Sequence, residues 1–372
     1  MCARASLDAE HARGVRALAQ DHLDWDWVLA RARPHGAAPL LRRHLSSACP
    51  DAVPPRVLGT LAACNRTDAR RTLRLTAELL RLLDLLAAHG IPAVPLKGPA
   101  LAAALYGDVS LRPFRDLDLL VREADVPGAL ALLGDQGYRR QETFTPPQEA
   151  AVLRATRHHF LARPDGDIVE LHWALGPDDL GFPQDLEDLW ARLAPVCVGG
   201  REVPALAPAD LLLFLCAHGA KHLWQRLGWI ADVAQLVRRA ELDYDALAAR
   251  ARAAGGRRVL RLGLFLAWHL LDAPLPAPLA RSLAVDRPVT ALGTTVRKRL
   301  FADSPSAPSG FELLRFHIRV RERLRDRVRG AVRAVATPGV GDWALVRLPD
   351  SLYPLYYLVR PFRLAAKYAR SI

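Results

Sequence analysis

Two aspartates, Asp116 and Asp118, lie one residue apart in the otherwise apolar run "DLDLLV". Side chains of a β-strand alternate between its two faces, so both carboxylates point one way while Leu117 and Leu119 point into the core. Two like charges on one face of a half-buried strand repel each other and are costly to desolvate unless a cation lies between them. A hard divalent metal ion is the usual cation at such a pair. The spacing therefore predicts a metal site at Asp116 and Asp118.

A third acid, Glu170, lies in the middle of a later predicted strand, "IVELHW". The same alternation places Glu170 on one face with Ile168 and His172, so Glu170 joins the aspartate pair if the two strands are neighbours. A D-x-D pattern alone is often only a solvated strand edge, and the chain has a second one, Asp24 and Asp26, in a helical context. The site prediction therefore depends on what surrounds the three acids.

The stretch before the aspartates predicts a phosphate-binding turn. "IPAVPL" is a candidate strand, Lys97 and Gly98 follow it, and "GPALAAALYG" is an alanine-rich candidate helix. The first N–H groups of a helix have no partner within the helix and favour anions, and a lysine there adds a positive charge. A strand, a Lys-Gly turn, a helix, a D-x-D strand and a later strand with one acid form a constellation that chance rarely produces.

Three segments together resemble a known family. "LKGPALAAALYGDVSLRPFRDLDLLV", "VELHWAL" and "HGAKHLWQRLGWIADVAQLV" are similar to the uncharacterised bacterial nucleotidyltransferases of the polymerase-β superfamily. The likeness runs over most of the chain, from about "DWDWVLARARPHGAAPLLRRHL" to "LYYLVRP". It implies an enzyme in which a glycine turn holds the nucleotide phosphates, two aspartates bind two Mg²⁺ ions, and a third acid on a following strand completes the site.

The resemblance assigns roles by position. It assigns catalysis and metal binding to Asp116, Asp118 and Glu170, and nucleotide binding to Lys97 and Gly98. Two-metal transfer agrees with these residue types, because carboxylates bridge cations roughly 3.5 to 4 Å apart that activate the attacking hydroxyl and steady the leaving pyrophosphate. One departure is the proline after Gly98, where many superfamily members have serine. The missing hydroxyl removes one phosphate contact, which the charge of Lys97 can supply.

Two further cations are candidates for nucleotide binding. Arg112, in "SLRPFRD", either clamps a phosphate or is an ordinary turn arginine. Lys221 lies on a later predicted helix, and the resemblance implies that it reaches the nucleotide from there. His218 and His222 on that helix have the i, i+4 spacing of a zinc pair, but the glutamate of H-E-x-x-H is absent, so metal binding there is not favoured. Asp232 is interpreted as a packing or capping residue.

The elements that must position these residues form an α+β fold. Residues 1–89 show helical patterns such as "TLRLTAELLRLLDLLAAHG" and no strand pattern. Residues 90–180 alternate strand and helix patterns and end in a hairpin with a Pro-Asp-Gly turn, which fits the small mixed β-sheet core that the resemblance implies. Residues 181–300 are predicted to be a helical domain, and residues 301–372 a basic helical segment.

Composition limits the class of protein. The chain has 372 residues, about half of them apolar, which is enough for two or three compact units. Its five cysteines are scattered and odd in number, so neither a disulfide framework nor a zinc knuckle is indicated. The N-terminal run "MCARASLDAEHARGVRA" is too charged for a signal peptide, and no apolar run approaches the roughly 18 residues of a membrane span. We therefore expect a cytoplasmic protein.

The formal net charge of +12 favours anionic partners such as nucleotides, nucleic acid or acidic lipid. Part of the excess lies in an arginine-rich stretch that is predicted to be one helix over residues 312–335. Leu313, Val320, Leu324 and Val328 form a packing stripe on it. Glu322 and Asp326 interrupt the positive field, so nucleic acid is a possible partner but not the favoured one. The aromatic and basic tail "LYPLYYLVRPFRLAAKYAR" permits peripheral membrane contact without a transmembrane span.

The leading functional hypothesis is a Mg²⁺-dependent nucleotidyltransferase that moves a nucleoside monophosphate from an NTP to an unidentified acceptor. The alternative is a catalytically inactive nucleotide-binding or accessory protein of a biosynthetic pathway. The presence of all three acids favours the enzyme. A third hypothesis, a nucleic-acid-binding accessory protein acting through the arginine-rich stretch, lacks the interleaved aromatic residues that stack on bases.

Overall fold

The first part of the chain is helical. The computed structural model describes residues 2–140, 144–176, 180–182, 186–302 and 307–369. Four α-helices come first: α1 (Ala9–Gln20), α2 (Trp25–Ala32), α3 (Ala38–Ala48) and α4 (Pro55–Ala88). Buried leucines repeat at helical spacing along α4, and the chain turns after it at Gly90, whose φ of +72° suits glycine. Among the described residues before position 90 there is no strand, as predicted.

A five-stranded mixed β-sheet follows. Its strands are β1 (Val94–Pro95), β2 (Leu117–Leu120), β3 (Arg139–Arg140), β4 (His158–Ala162) and β5 (Ile168–His172), and between them run the helices α5 (Gly98–Tyr106), α6 (Val126–Asp135) and α7 (Pro146–Thr156). The order is β1-β2-β5-β4-β3, in which β2 and β5 are parallel and the other neighbours antiparallel. The predicted hairpin is confirmed as β4 and β5. The run "RRQETF" also has a strand pattern; its first two residues form β3, and residues 141–143 lie outside the described residues.

One face of the sheet packs against α4. The buried residues of this face share an apolar cluster with the leucines of α4 and are Leu117, Leu119, Val169 and Leu171. Full burial of each such side chain stabilises the fold by about 1.5–3 kcal/mol. Because side chains alternate, Asp118 and Glu170 lie on the opposite face of the same two strands. The apolar face therefore fixes the strands that carry the acids.

Helices dominate the rest of the described chain. They are α8 (Leu186–Ala191), α9 (Pro208–Lys221), α10 (Leu227–Arg239), α11 (Tyr244–Ala253), α12 (Arg257–Leu271), α13 (Ala277–Ala284), α14 (Arg287–Leu300), α15 (Gly310–Val320), α16 (Leu324–Ala336), α17 (Val340–Leu345) and α18 (Tyr356–Ala369). The largest apolar cluster of the molecule lies among α9, α10, α12 and α14. None of the described helices has the length and apolar character needed to cross a bilayer.

The helical prediction for residues 181–300 misses a two-stranded hairpin, β6 (Ala194–Val198) and β7 (Arg201–Ala205). Gly199 and Gly200 join the strands with φ of +59° and +82°, values typical of a tight hairpin turn. Val198 and Val203 pack on Ala100 of α5, so the hairpin supports the helix that follows the Lys-Gly turn. A Gly-Gly pair between two valine-containing runs was the available signal.

The prediction of a single helix over residues 312–335 is wrong. α15 and α16 are separate, and Arg321 between them has an extended backbone. Arg258 donates from Nη1 to the carbonyl oxygens of Arg319 and Arg321, so the break leaves these oxygens paired. A Cβ at Gly330 would lie 2.7 Å from the guanidinium carbon of Arg321, so α16 folds back closely over that buried side chain.

The break also divides the predicted apolar stripe. Val320 of α15 is buried and Leu313 is partly buried against the main core. Leu324 and Val328 of α16 are exposed instead. The stripe is therefore a packing face on α15 and a solvent-facing surface on α16.

Candidate functional site

Three carboxylates meet on the polar face of β2 and β5. The parallel register places Asp118 directly beside Glu170, and Asp116 lies in the bend one residue before β2 begins. Burial raises the pKa of Asp116, and the negative charges of Asp118 and, more weakly, Glu170 raise it further. Each of the three acids thus acts on the others, as expected for groups that share one site.

Lys97 and Gly98 lie at the start of α5, beside these acids. The Nζ of Lys97 is 2.8 Å from Oδ1 of Asp118. Burial lowers the pKa of Lys97, but the charges of Asp118 and Asp116 outweigh it and hold the pKa above its ordinary value. Gly98 has a φ of +60°, in the left-handed region that glycine adopts without steric cost. The turn therefore brings a lysine charge and a helix N-terminus to the carboxylates.

Asp118 is the most buried of the three acids, with 2% of its surface exposed. Burial acts to raise its pKa, but Lys97 and His172 outweigh burial and lower it, so the group is a carboxylate at neutral pH. Its Oδ1 pairs with Lys97, whereas its Oδ2 is buried with no hydrogen-bond partner among the described residues. An unpaired buried oxygen of this kind is costly in a finished fold and indicates a place for a ligand.

Two histidines complete the polar face, and neither was assigned to the site from the sequence. The Nε2 of His172 lies 3.3 Å from Oδ1 of Asp118 and 3.3 Å from Oε2 of Glu170. The Nε2 of His158 lies 3.9 Å from the same Glu170 oxygen, because β4 places His158 opposite His172. The alternation already put His172 on the Glu170 face. His158 needed the register of the hairpin.

The two carboxylates and the histidines influence each other's protonation. Burial lowers the pKa of His172, but hydrogen bonds to Asp118 and Glu170 raise it above its ordinary value. Burial raises the pKa of Glu170, but the hydrogen bond to His172 and the charges of His172 and His158 together lower it below its ordinary value. Burial, followed by the charge of His172, lowers the pKa of His158 to about 4. Glu170 is therefore a carboxylate and His158 a neutral imidazole at neutral pH.

The end of α9 lies near the same site. Burial lowers the pKa of Lys221 and the charge of Lys97 lowers it further, while the charges of Glu170 and Asp118 act in the opposite direction, so Lys221 is within electrostatic reach of these two acids. The rings of His218 and His222 are 4.8 Å apart, and each lies within 5.4 Å of the Trp229 ring. These histidines contact Trp229 edge-on and at a tilt, and the cluster of metal-type ligands found in the described chain does not include them.

Arg112 has a different environment from the one expected of a phosphate clamp. Its Nε and Nη2 each lie 2.9 Å from an oxygen of Asp232, and the hydroxyl of Tyr106 donates to the same carboxylate at 2.9 Å. Asp232 is 1% exposed, so this is a buried ion pair that ties α10 to α5 and to the segment before β2. Asp232 is an ion-pair partner, where the sequence had suggested packing or capping.

Comparison with known proteins gives one finding. A family model described as "Uncharacterised nucleotidyltransferase" matches residues 21–272, more than half of the chain. The matched residues include the three acids, the Lys-Gly turn, the two histidines of the sheet and the end of α9. The helices α13 to α18 lie beyond the match. No curated protein and no solved structure matches the chain.

Proposed function

Because the chain belongs to the uncharacterised nucleotidyltransferase family, we propose that it transfers a nucleoside monophosphate from an NTP to a hydroxyl or phosphate group of an acceptor. The observation that carries this proposal is the parallel pairing of β2 with β5. It sets Asp118 beside Glu170, next to a helix that begins with Lys97 and Gly98. The arrangement of a glycine turn, two aspartates and a third acid supports a polymerase-β-like catalytic core.

The donor set suits hard divalent cations. Asp118 has an unpaired buried oxygen, and Asp116 and Glu170 add carboxylates on the same face. Oxygen ligands of this kind are those that Mg²⁺ prefers. Two Mg²⁺ ions held there would lower the pKa of the attacking hydroxyl and stabilise the leaving pyrophosphate.

The residues of the chain supply binding and proton handling. Lys97 and the first N–H groups of α5 present positive charge to the triphosphate, and Lys221 does so from the end of α9. Glu170, held as a carboxylate by His172, accepts the proton of the attacking hydroxyl. Arg112 is a positioning residue in this scheme, because its guanidinium is paired with Asp232 and not directed at a phosphate.

We place the reaction in the cytoplasm. The five cysteines are all free thiols, which fits a reducing compartment in which NTPs are abundant. The acceptor is the open part of the proposal, so the experiment must find it as well as test the activity.

The experiment is incubation of the protein with labelled NTPs, Mg²⁺ and a lysate of the source organism. A labelled product together with released pyrophosphate is expected from the native chain, and Asp118→Asn and Glu170→Gln should both lose it. Asp26→Asn is the matched control, because Asp26 belongs to the other D-x-D pair and lies exposed on α2. The accessory-protein alternative would be favoured if the protein binds NTP tightly but forms no labelled product, releases no pyrophosphate and behaves the same in all these variants.

A further inference from the structure

One side of the site combines histidine nitrogens with a carboxylate. His158, Glu170 and His172 each offer a ligand atom, and these atoms lie within 4.8 Å of one another. The cluster combines two imidazoles with one carboxylate. The aspartate side, Asp116 and Asp118, has oxygen ligands only. The site therefore presents two different donor sets a few ångströms apart.

The spacing of the mixed donor set is close to that of a bound ion. Two ligands on a tetrahedral ion with bonds of about 2.1 Å are separated by about 3.4 Å. The His172 Nε2 is 3.3 Å from the Glu170 oxygen, and the His158 Nε2 is 3.9 Å from it. All three ligand atoms lie within 4.8 Å of one another, so side-chain rotations would bring them to ligand spacing, with Asp118 Oδ1 as a fourth at 3.3 Å from His172.

The sheet holds these side chains in place. His158 and His172 are directly opposite each other on β4 and β5, with ring centroids 4.8 Å apart, and Glu170 is two residues from His172 on the same face. A second observation points to a ligand independently of the spacing. The Asp118 Oδ2 that adjoins this cluster is buried and unpaired among the described residues.

We propose that His158, Glu170 and His172 bind a first-row transition ion of the Mn²⁺ or Zn²⁺ class in preference to Mg²⁺. Imidazole nitrogen is a good ligand for such ions, whereas Mg²⁺ takes oxygen ligands almost exclusively. The inference deepens the proposed function and rests on it. It assigns one of the two metal positions, that of the ion that would activate the attacking hydroxyl, to the two histidines and Glu170. The aspartate side keeps the donors that suit Mg²⁺ and nucleotide phosphates.

The test is metal binding by the metal-stripped full-length chain, measured without nucleotide. Mn²⁺ is titrated in the presence of excess Mg²⁺, and its paramagnetic resonance spectrum is examined for coupling to ¹⁴N of a bound imidazole. Nitrogen coupling is expected. His158→Gln and His172→Asn should each weaken Mn²⁺ and Zn²⁺ binding by at least about tenfold, the lower end of what even outer partners of metal ligands contribute.

His159→Gln is the matched control, because His159 is the neighbouring residue on β4, points to the other face and contacts Trp173. It should leave metal affinity unchanged. His158 is the more exposed of the two proposed ligands, so its variant keeps the test decisive if His172→Asn fails to fold. Mn²⁺ binding without nitrogen coupling, or equal affinity in His158→Gln and His159→Gln, would overturn the inference.

The two proposals fail in different ways. Nucleotidyl transfer with Mg²⁺ alone and no imidazole ligation removes the transition-ion site and leaves the proposed function in place. Imidazole ligation with no transfer from any NTP removes the function and leaves the metal site. The binding measurement needs no acceptor, so ignorance of the acceptor does not affect it.

A separate surface, on α16, supports a second inference. Four aliphatic side chains recur along one face of this helix with large exposed fractions: Leu324 (73%), Val328 (54%), Val332 (58%) and Val335 (42%). Arg325, Arg329 and Arg333 lie along the same stretch and line a groove of about 750 Å³ with the first three of these side chains. An aliphatic stripe edged by arginines is typical of helices that lie in a membrane interface.

The surrounding segment has the same character. Residues 307–369 contain twelve Lys and Arg and five Asp and Glu, a net charge of +7 out of +12 for the whole chain. Phe362 and Leu358 of α18 are also exposed, by 76% and 63%. This segment lies beyond the residues that match the family model.

We infer that α16 docks the protein on an anionic lipid bilayer, with the aliphatic stripe in the interface and the arginines on lipid phosphates. The charge of the segment is complementary to such a surface, and the stripe itself distinguishes lipid from nucleic acid. A nucleic-acid groove would place cations and stacking rings where α16 has valine and leucine.

The test is co-flotation of the full-length chain with vesicles of phosphatidylcholine, with and without phosphatidylglycerol. Binding is expected only to the anionic vesicles, and Val328→Gln combined with Val332→Gln should reduce it by at least about tenfold, since two aliphatic side chains are lost from the interface. Leu73→Gln on α4, another exposed leucine (60%), is the matched control and should bind as the native chain does.

Three outcomes would overturn the lipid inference. Equal flotation with both kinds of vesicle would remove the role of charge. Concentration-dependent self-association lost in the double valine variant would make a second copy the occupant of the stripe. Binding to a polynucleotide with a steep salt dependence, and none to vesicles, would make nucleic acid the partner.

Discussion

Two aspartates of the molecule are almost equally buried but differ in how their oxygens are paired. Asp232 and Asp118 are 1% and 2% exposed. Asp232 pairs with Arg112, and Asp118 pairs with Lys97. Asp232 accepts hydrogen bonds from Arg112 and Tyr106 on both oxygens. Asp118 has one oxygen shared between Lys97 and His172 and the other unpaired among the described residues.

The difference teaches how to distinguish a structural ion pair from a site. A buried carboxylate that is fully paired is a connection between elements, and removing it destabilises the fold. A buried carboxylate that keeps an unpaired oxygen beside two more acids is instead a candidate position for a cation or a substrate. Burial and charge alone would have classed Asp118 and Asp232 together.

The largest expected effect is on catalysis. Asp118→Asn and Glu170→Gln should each reduce nucleotidyl transfer by about a thousandfold or more, because each removes a negative charge that would hold a metal ion at the reacting oxygens. Transfer is measured with labelled NTP once an acceptor is known, or as pyrophosphate release. Full activity in Asp118→Asn would abolish the distinction drawn between Asp118 and Asp232.

The next effect is on stability. Asp232→Ala should lower the free energy of unfolding by about 3–5 kcal/mol, because it leaves Arg112 without its partner inside the protein. Urea unfolding measures it. Asp51→Ala is the control, since Asp51 forms an exposed pair with Arg16, and a change of about 0–1 kcal/mol is expected there. A small loss in Asp232→Ala would mean that Arg112 is not held as a structural partner.

Lys97 is expected to act both as a structural ion-pair partner, of Asp118, and as a nucleotide-binding residue. Lys97→Met should weaken NTP binding by about tenfold, the worth of one hydrogen bond to a charged group. It should also destabilise the metal-free protein, since Asp118 loses its counterion. Nucleotide titration and urea unfolding separate the two effects, with Lys298→Met on α14 as the exposed control. Lower stability with unchanged NTP affinity would leave Lys97 with a structural role only.

The smallest effect concerns a third paired acid, Glu78 of α4, which accepts hydrogen bonds from Arg81, Tyr138 and Arg163. Burial raises its pKa, but these partners, Arg81 first, lower it below the ordinary 4.5. A pKa depressed by folding adds stability above the unfolded pKa, and that stability is lost as the pH falls through the folded pKa.

Glu78→Gln should therefore be less stable than the native chain at pH 7, and the gap should close as the pH falls below 4.5. Urea unfolding at neutral and acidic pH measures the gap. A difference that stays constant with pH would show that packing, and not the charge of Glu78, accounts for the loss.

The sequence was sufficient for the features that depend on local pattern. Strand alternation placed Asp118 and Glu170 on the polar faces of β2 and β5, and the apolar run that surrounds Asp118 became the buried face against α4. The Lys-Gly turn and the helix after it follow from propensity and from the steric freedom of Gly98. Such rules act over a few residues, so they can be applied to the sequence without knowledge of the fold.

Where local pattern misled, a distant contact had overridden it. Helical propensity runs through Arg321, but Arg258, 63 residues away, pairs the carbonyl oxygens at the break, and Gly330 lets α16 fold back. The turn arginine Arg112 could not be distinguished from a phosphate ligand until Asp232, 120 residues later, was seen to hold it. Neither partner leaves a signal near the residue that it controls.

The amino-acid sequence is enough to tell which residues bear charge and which face of each strand they occupy, because side-chain alternation and helix spacing are properties of the backbone alone. Only the tertiary structure decided which strands are neighbours and in what register, since pairing depends on burying apolar surface from the whole chain. That register put Asp118 beside Glu170 and His158 opposite His172. It grouped the three acids with His172, which strand alternation had placed on the face of Glu170, and with His158, which only the register of the hairpin brought to them.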